Sequence, residues 1–108
     1  MARPLRRGDI CWYEFQPPDK RRPVLILTRD SAIRVLNAVT VAPVTSTIRD
    51  IPSEVALSPD DGLPRPCAAN FDNLQTVSKH KLGSRIATLS AEKMNEVSDA
   101  LQFALGLS

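Results

Sequence analysis

Residues 21–45 read RRPVLILTRDSAIRVLNAVTVAPVT, and this stretch decides the fold. Val24 to Thr28 is a continuous apolar run of strand length, and Ala38 to Thr45 is a second, rich in β-branched residues. Pro43 interrupts the second run, which implies an edge or a bulge there. Before it, Gly8 to Phe15 is rich in aromatic and β-forming residues and is stopped by Pro17-Pro18-Asp19, so it reads as a first strand and a short loop. After it, Ser53 to Leu57, Cys67 to Asn70 and Arg85 to Leu89 read as further short strands. Ser58 to Pro66, SPDDGLPRP, is a loop with three prolines, and Asp72 to Gly83 is a mixed connection with room for a helical turn.

The C-terminal end changes period. Ser90 offers an N-cap, Met94, Val97, Leu101, Ala104 and Leu105 recur at intervals of three and four, Glu92 suits the first turn, and Gly106 marks the end. Five or six short strands followed by one amphipathic helix predict a mainly β fold: a small, strongly bent antiparallel barrel with helical additions.

The chain has 108 residues, enough for a real core and too few for two, since separate cores arise only beyond roughly 200 residues. A hydrophobic fraction of 43% and a charged fraction of 24% exclude a fully disordered or collagen-like chain. The net charge of +2 is too small to argue for nucleic acid on its own. Its distribution is more informative: residues 1–34 hold eight basic and four acidic side chains, whereas residues 90–108 hold one and three. No stretch reaches the roughly 18 apolar residues of a membrane-spanning helix, and the start MARPLRRGDICW lacks the apolar middle of a secretory signal, so a cytoplasmic protein with no membrane partner is expected. Cys11 and Cys67 form no C-x-x-C pair and read as buried thiols. With His80 as the one histidine, metal ligands are scarce, and neither a metal nor another cofactor is expected.

Three constellations carry chemistry. Lys20, Arg21 and Arg22 lie between two expected strands, and a guanidinium beside rigid Pro23 can hold a phosphate through two parallel hydrogen bonds. Three adjacent cations also fit a solvated loop. Thr45-Ser46-Thr47, followed by Arg49, places hydroxyls at a strand end, where they can donate to a phosphate or cap a turn. Phe71-Asp72-Asn73 sets an aromatic, a carboxylate and an amide in one connection, a set able to stack on a base and bond its edges, or to form an ordinary turn. In the first strand, alternation sends Tyr13 and Phe15 to one face and Trp12 to the other. One face is core, and the other is open to base stacking. His80, between Lys79 and Lys81, reads as a surface residue.

The order of these pieces, RRGDICWYEF, RRPVLILTRD, VAPVTSTIRD, CAANFDNLQTVSKHKLGSRIATLS and KMNEVSDALQFALGL, resembles the MazF/PemK/Kid toxins over nearly the whole chain. The resemblance implies a homodimeric SH3-like β-barrel, similar in fold to the gyrase poison CcdB, that cuts single-stranded RNA at short motifs without a metal and is countered by a MazE-like antitoxin. By position, the family's catalytic arginine matches Arg22 and its active-site threonine matches Thr45. Ser46 matches an adjacent substrate contact, Asp72 a carboxylate that in some members contacts RNA and assists catalysis, and Asn73 a neighbouring polar residue. Lys20 and Arg21 would add substrate contacts. The chain departs from many members in its shorter FQPPDKRRP loop, and in having Asn70 where some carry a basic residue. Two rivals share the barrel: a gyrase poison acting by binding, against which the ending LGLS lacks that class's tryptophan, and a non-catalytic binding module.

Overall fold

Apolar runs with no polar alternation must be buried on both faces, and the sheet is built around the two that qualify. The computed structural model describes residues 3–15 and 20–107. Its elements are β1 (Asp9–Glu14), β2 (Arg21–Ile26), a one-turn helix α1 (Asp30–Ile33), β3 (Ala38–Thr45), β4 (Glu54–Leu57), β5 (Cys67–Asn70), β6 (Gln75–Ser78), β7 (Leu82–Thr88) and α2 (Ala91–Leu105). Short 3₁₀ turns occupy Pro59–Asp61, Phe71–Asn73 and Lys79–Lys81. The strands pair antiparallel in the order β4-β5-β3-β2-β1-β7, and β6 also pairs with β3. The stop expected at Pro17-Pro18-Asp19 lies outside the described residues.

Alternation along β2 and β3 supplies two cores. Leu25, Ala42 and Val44 join Ile10, Leu57, Phe71 and Val97 on one face, while Val24, Ile26, Val39 and Val41 join Ile33 and Val77 on the other. Each fully buried aliphatic side chain contributes about 2 kcal/mol relative to exposure. The first core is covered by α2, whose Ser90 hydroxyl accepts from the Lys93 amide at 3.1 Å and whose last turn ends on Gly106. Val97 and Ala100 are its buried positions.

The mainly β class with a C-terminal helix is as expected, with one difference in closure. Among the described residues no hydrogen-bonded pairing joins β4 to β7, so the barrel is an open, bent sheet. Its edges still approach each other. Gly62, in the β4–β5 loop, has φ +95°, and a Cβ there would lie 2.9 Å from the Ala87 Cβ of β7, so only glycine lets the loop pass. Register shifts between Ile10 and Cys11, and again between Cys11 and Tyr13, break the β1–β7 ladder, and such irregularities bend a strand.

The N-terminal segment is fastened by one buried carboxylate. Asp9 is 1% exposed, and Arg3 meets both of its oxygens, at 2.6 and 3.0 Å. The Arg6 amide donates to it at 2.9 Å and the Thr88 hydroxyl at 2.8 Å, tying β1 to β7. Burial pushes the Asp9 pKa up, but the bonds from Arg3, Arg6 and Thr88 outweigh it and hold the carboxyl below its ordinary range. A depressed carboxylate contributes stability that is complete above its unfolded pKa, near 4, and is lost as the pH falls through its folded value. Asp9→Asn should therefore cost about 2–3 kcal/mol in urea unfolding near pH 7. The gap between the two proteins should narrow as the pH is lowered toward about 3, and a gap independent of pH would refute this role for the carboxylate.

Candidate active site

The site lies where the β2–β3 ladder ends, and two prolines determine that place. The Leu27 amide donates to the Thr40 carbonyl at 2.9 Å, so odd-numbered residues of β2 aim their N–H groups at β3. Pro23, two residues before Leu25, is the next in that series and has no N–H to give. The ladder stops at the Val24–Pro43 pair. Carried two residues further, the same register sets Arg22 across from Thr45. Pro43 is neither at an edge nor at a bulge, contrary to the sequence expectation. It sits in a central strand, where the partner on the far side changes from β6, paired through Val41, to β5, paired from Val44. Its missing donor falls in that gap.

Arg21 and Arg22 are part of β2 and not of a loop, because β1 continues to pair with them: Tyr13 opposes Arg22 and Glu14 opposes Arg21. A groove of about 610 Å³ opens beside them. It is lined by Trp12, Lys20, Arg21, Arg22 and Pro23 on the β2 side, by Val44 to Thr47 from the end of β3, and by Leu63 to Arg65 and Cys67 beyond. Four of these residues are cationic and none is acidic. The Arg21 guanidinium stacks 4.5 Å over the Trp12 ring, so the expected alternation holds: Trp12 faces the groove, while Tyr13 and Phe15 meet edge to face at 4.9 Å on the other side. The Thr45 hydroxyl accepts from the Thr47 amide at 3.1 Å, which leaves its own proton free to donate.

A second groove of about 370 Å³ is lined by Phe15, Arg22, Pro43 and Asp72 to Gln75. Arg22 lines both. Asp72 and Asn73 are exposed on the 3₁₀ turn after β5, and buried Asn70 caps that turn by accepting from the Asp72 amide at 2.9 Å. Phe71, a candidate for stacking, is only 1% exposed and belongs to the core, where it anchors the turn. The sequence reading missed Ser53, whose buried hydroxyl donates to the Asp72 carboxylate at 2.6 Å and fixes its direction. It also missed Arg65, for which the one available signal was a basic residue between two prolines in a loop. Arg49 lines neither groove, and its amide donates to Glu54 at 3.0 Å. His80 is exposed on the turn after β6 and lines neither.

The arrangement suits an anionic ligand with a phosphodiester backbone. Guanidinium groups stay charged at any working pH, and the free Thr45 proton adds a directed donor. Cys67 supplies no nucleophile: burial, with help from Asp61 and against Arg65, pushes its thiol pKa up, so it stays protonated near neutral pH. Cys11, pushed up to about 11 chiefly by burial, is equally inert.

Comparison with known proteins gives concordant results. The family model for the PemK-like, MazF-like toxin of type II toxin-antitoxin system matches residues 6–105, a span that holds every site candidate. A probable endoribonuclease MazF5 of Mycobacterium tuberculosis is 41% identical over 103 residues, covering 94% of each chain. The solved Mycobacterium tuberculosis toxin MazF-mt6 is similar with a TM-score of 0.85 at 37% identity, over 93% of this chain and 98% of that one. An endoribonuclease from a mycobacterial species, solved in complex with its cognate antitoxin, gives a TM-score of 0.86 at 31% identity, over 96% and 97%.

The cap under Asp72 yields a test. Asn70→Ala removes the acceptor for the Asp72 amide at a 93%-buried position, and should lower the unfolding free energy by about 1 kcal/mol in a urea titration. An unchanged midpoint would show that Phe71 and the Ser53 contacts hold the turn without the cap.

Proposed function

Since the chain belongs to the family of PemK-like, MazF-like toxins of type II toxin-antitoxin systems, we propose that its paired grooves bind single-stranded RNA and cut the phosphodiester bond that lies on Arg22. It is an endoribonuclease, the activity named in relatives that match most of its length. The observation that carries the assignment of the bond-breaking centre is the position of Arg22, which lines both grooves just beyond the end of the β2–β3 ladder and shares the larger one with Thr45.

The proposed nucleophile is the substrate's own 2′-hydroxyl. Its oxygen attacks the adjacent phosphorus, the bond from phosphorus to the 5′-oxygen breaks, and the products are a 2′,3′-cyclic phosphate and a free 5′-hydroxyl. The proton released by the 2′-hydroxyl passes to a base, for which Asp72, in the groove that shares Arg22, is the candidate. The leaving 5′-oxygen takes up a proton from Arg22 or from water. Arg22 neutralises charge growing on the phosphoryl oxygens, and Thr45 donates to the same group, an electrostatic preorganisation that needs no metal. Ser46, Arg21, Lys20 and Asn73 contact the strand on either side. Trp12 offers a stacking face.

Within this reading the protein is a cytoplasmic homodimer restrained by a MazE-like antitoxin with an acidic, initially disordered segment. The four cations of the larger groove support that partner, since an acidic chain covering Arg22 would fold on binding and exclude RNA. No helix among the described residues is long and apolar enough to cross a membrane.

Arg22→Ala should lower cleavage of a long unstructured RNA by about 100- to 1,000-fold while circular dichroism stays native, and Thr45→Val should act in the same direction but less severely. A single 2′-deoxy substitution 5′ to the cut should block cleavage, and excess chelator should not. Normal cutting of the deoxy-substituted strand, or loss of activity in chelator, would overturn attack by the 2′-hydroxyl.

A further inference from the structure

Arg65 stands across the larger groove from Arg22. Strand order fixes this: β3 lies between β2 and β5, and β5 pairs with the end of β3 through Val44–Ala69 and Thr45–Ala68. Arg22 is thus on one side of Thr45, and Arg65, two residues before β5, is on the other. Two strand spacings, widened where β2 and β3 part, set the flanking backbones at least about 10 Å apart, so a strand seated on Arg22 can present a different phosphate to Arg65.

The Arg65 backbone is held on both sides. Pro64 and Pro66 restrict the chain around it, and buried Leu63 and Cys67 anchor it to the core. The loop behind is closed by a reciprocal cap, in which the Ser58 hydroxyl accepts from the Asp60 amide and the Asp61 carboxylate accepts from the Ser58 amide at 3.0 Å. Lys93 of α2 reaches Asp61 at 3.9 Å. The Arg65 side chain, by contrast, is exposed and enters no ion pair among the described residues. Among the described residues, none that lines the groove is a carboxylate able to receive it.

We propose that Arg65 is a substrate-binding residue that grips a phosphate of the RNA strand away from the bond being cut, clamping the strand against Arg22 from the opposite wall. The proposal rests on the endoribonuclease reading and deepens it. Such a contact forms equally in the bound and transition states, so it acts on KM and leaves kcat alone.

The test compares the wild-type protein with Arg65→Gln and Arg65→Lys on two RNAs, a long unstructured strand and an oligonucleotide trimmed to the nucleotides flanking the cut. On the long strand Arg65→Gln should raise KM several-fold at constant kcat, and Arg65→Lys should recover part of the loss. On the trimmed strand the wild type and Arg65→Gln should agree. Binding of the long strand, made uncleavable by 2′-deoxy substitution at the cut, should lose about 0.7 from its slope against log salt, the value of one single-strand phosphate contact. An unchanged KM and salt slope, or a loss confined to kcat, overturns the Arg65 contact. A wild-type protein that binds but cuts no RNA overturns the endoribonuclease reading instead, and the salt slope then still decides whether Arg65 touches a phosphate.

Discussion

The missing amide of Pro23 is the constraint on which the site depends. An antiparallel ladder persists while each facing residue can donate, and β2 loses its donor toward β3 at Pro23, the residue that follows Arg22. Were a non-proline residue to continue the ladder, Val44 would be paired with β2 as well as with β5, and β2 and β3 would stay a normal spacing apart beyond it. Instead β2 remains bonded to β1 alone, β3 turns to β5, and the cleft between them is lined by backbone-fixed side chains. Charge stabilisation depends on such fixing, because a donor that must reorganise as charge develops loses most of its advantage. Arg22 lies within a strand, and Thr45 is the last residue of another.

Burial on both faces keeps that strand end rigid. The central strands cannot slide by one residue without exchanging the two cores, since Leu25 and Val24 face opposite ways among different partners. The Asp9 cluster adds a polar fastening at the other end of β1, joining the N-terminal segment to β7. On the Asp72 side the same logic works through a turn: Phe71 is driven inward, Asn70 caps, Ser53 orients, and the exposed carboxylate is left pointing into the second groove.

Much of this was legible in the sequence, and the parts that were not share a cause. Ala38 to Thr45 was read with the bounds the strand has, because a long β-branched run admits little else, and α2 was read from its period and caps. Arg21 and Arg22 were read as loop because polarity conceals pairing: their side chains are exposed, yet their backbones continue the β1 ladder. The strand β6, Gln75–Ser78, was missed for the same reason, having Val77 as its one buried residue. Ordered motifs located Arg22, Thr45, Ser46, Asp72 and Asn73, which the fold brings to two adjoining grooves. Ser53 and Arg65 reach the site only through long-range packing, and no local pattern marks them.

The placement of Trp12 has an optical consequence. The chain has one tryptophan, and its ring lies in the larger groove beneath the Arg21 guanidinium. Indole emission responds to polarity and to a stacked charge, so the whole tryptophan signal of this molecule comes from the mouth of the groove. A strand or peptide that displaces Arg21, or dries the ring, changes the colour and yield of that emission without any label attached. The protein thus carries its own gauge of whether the groove is empty or filled.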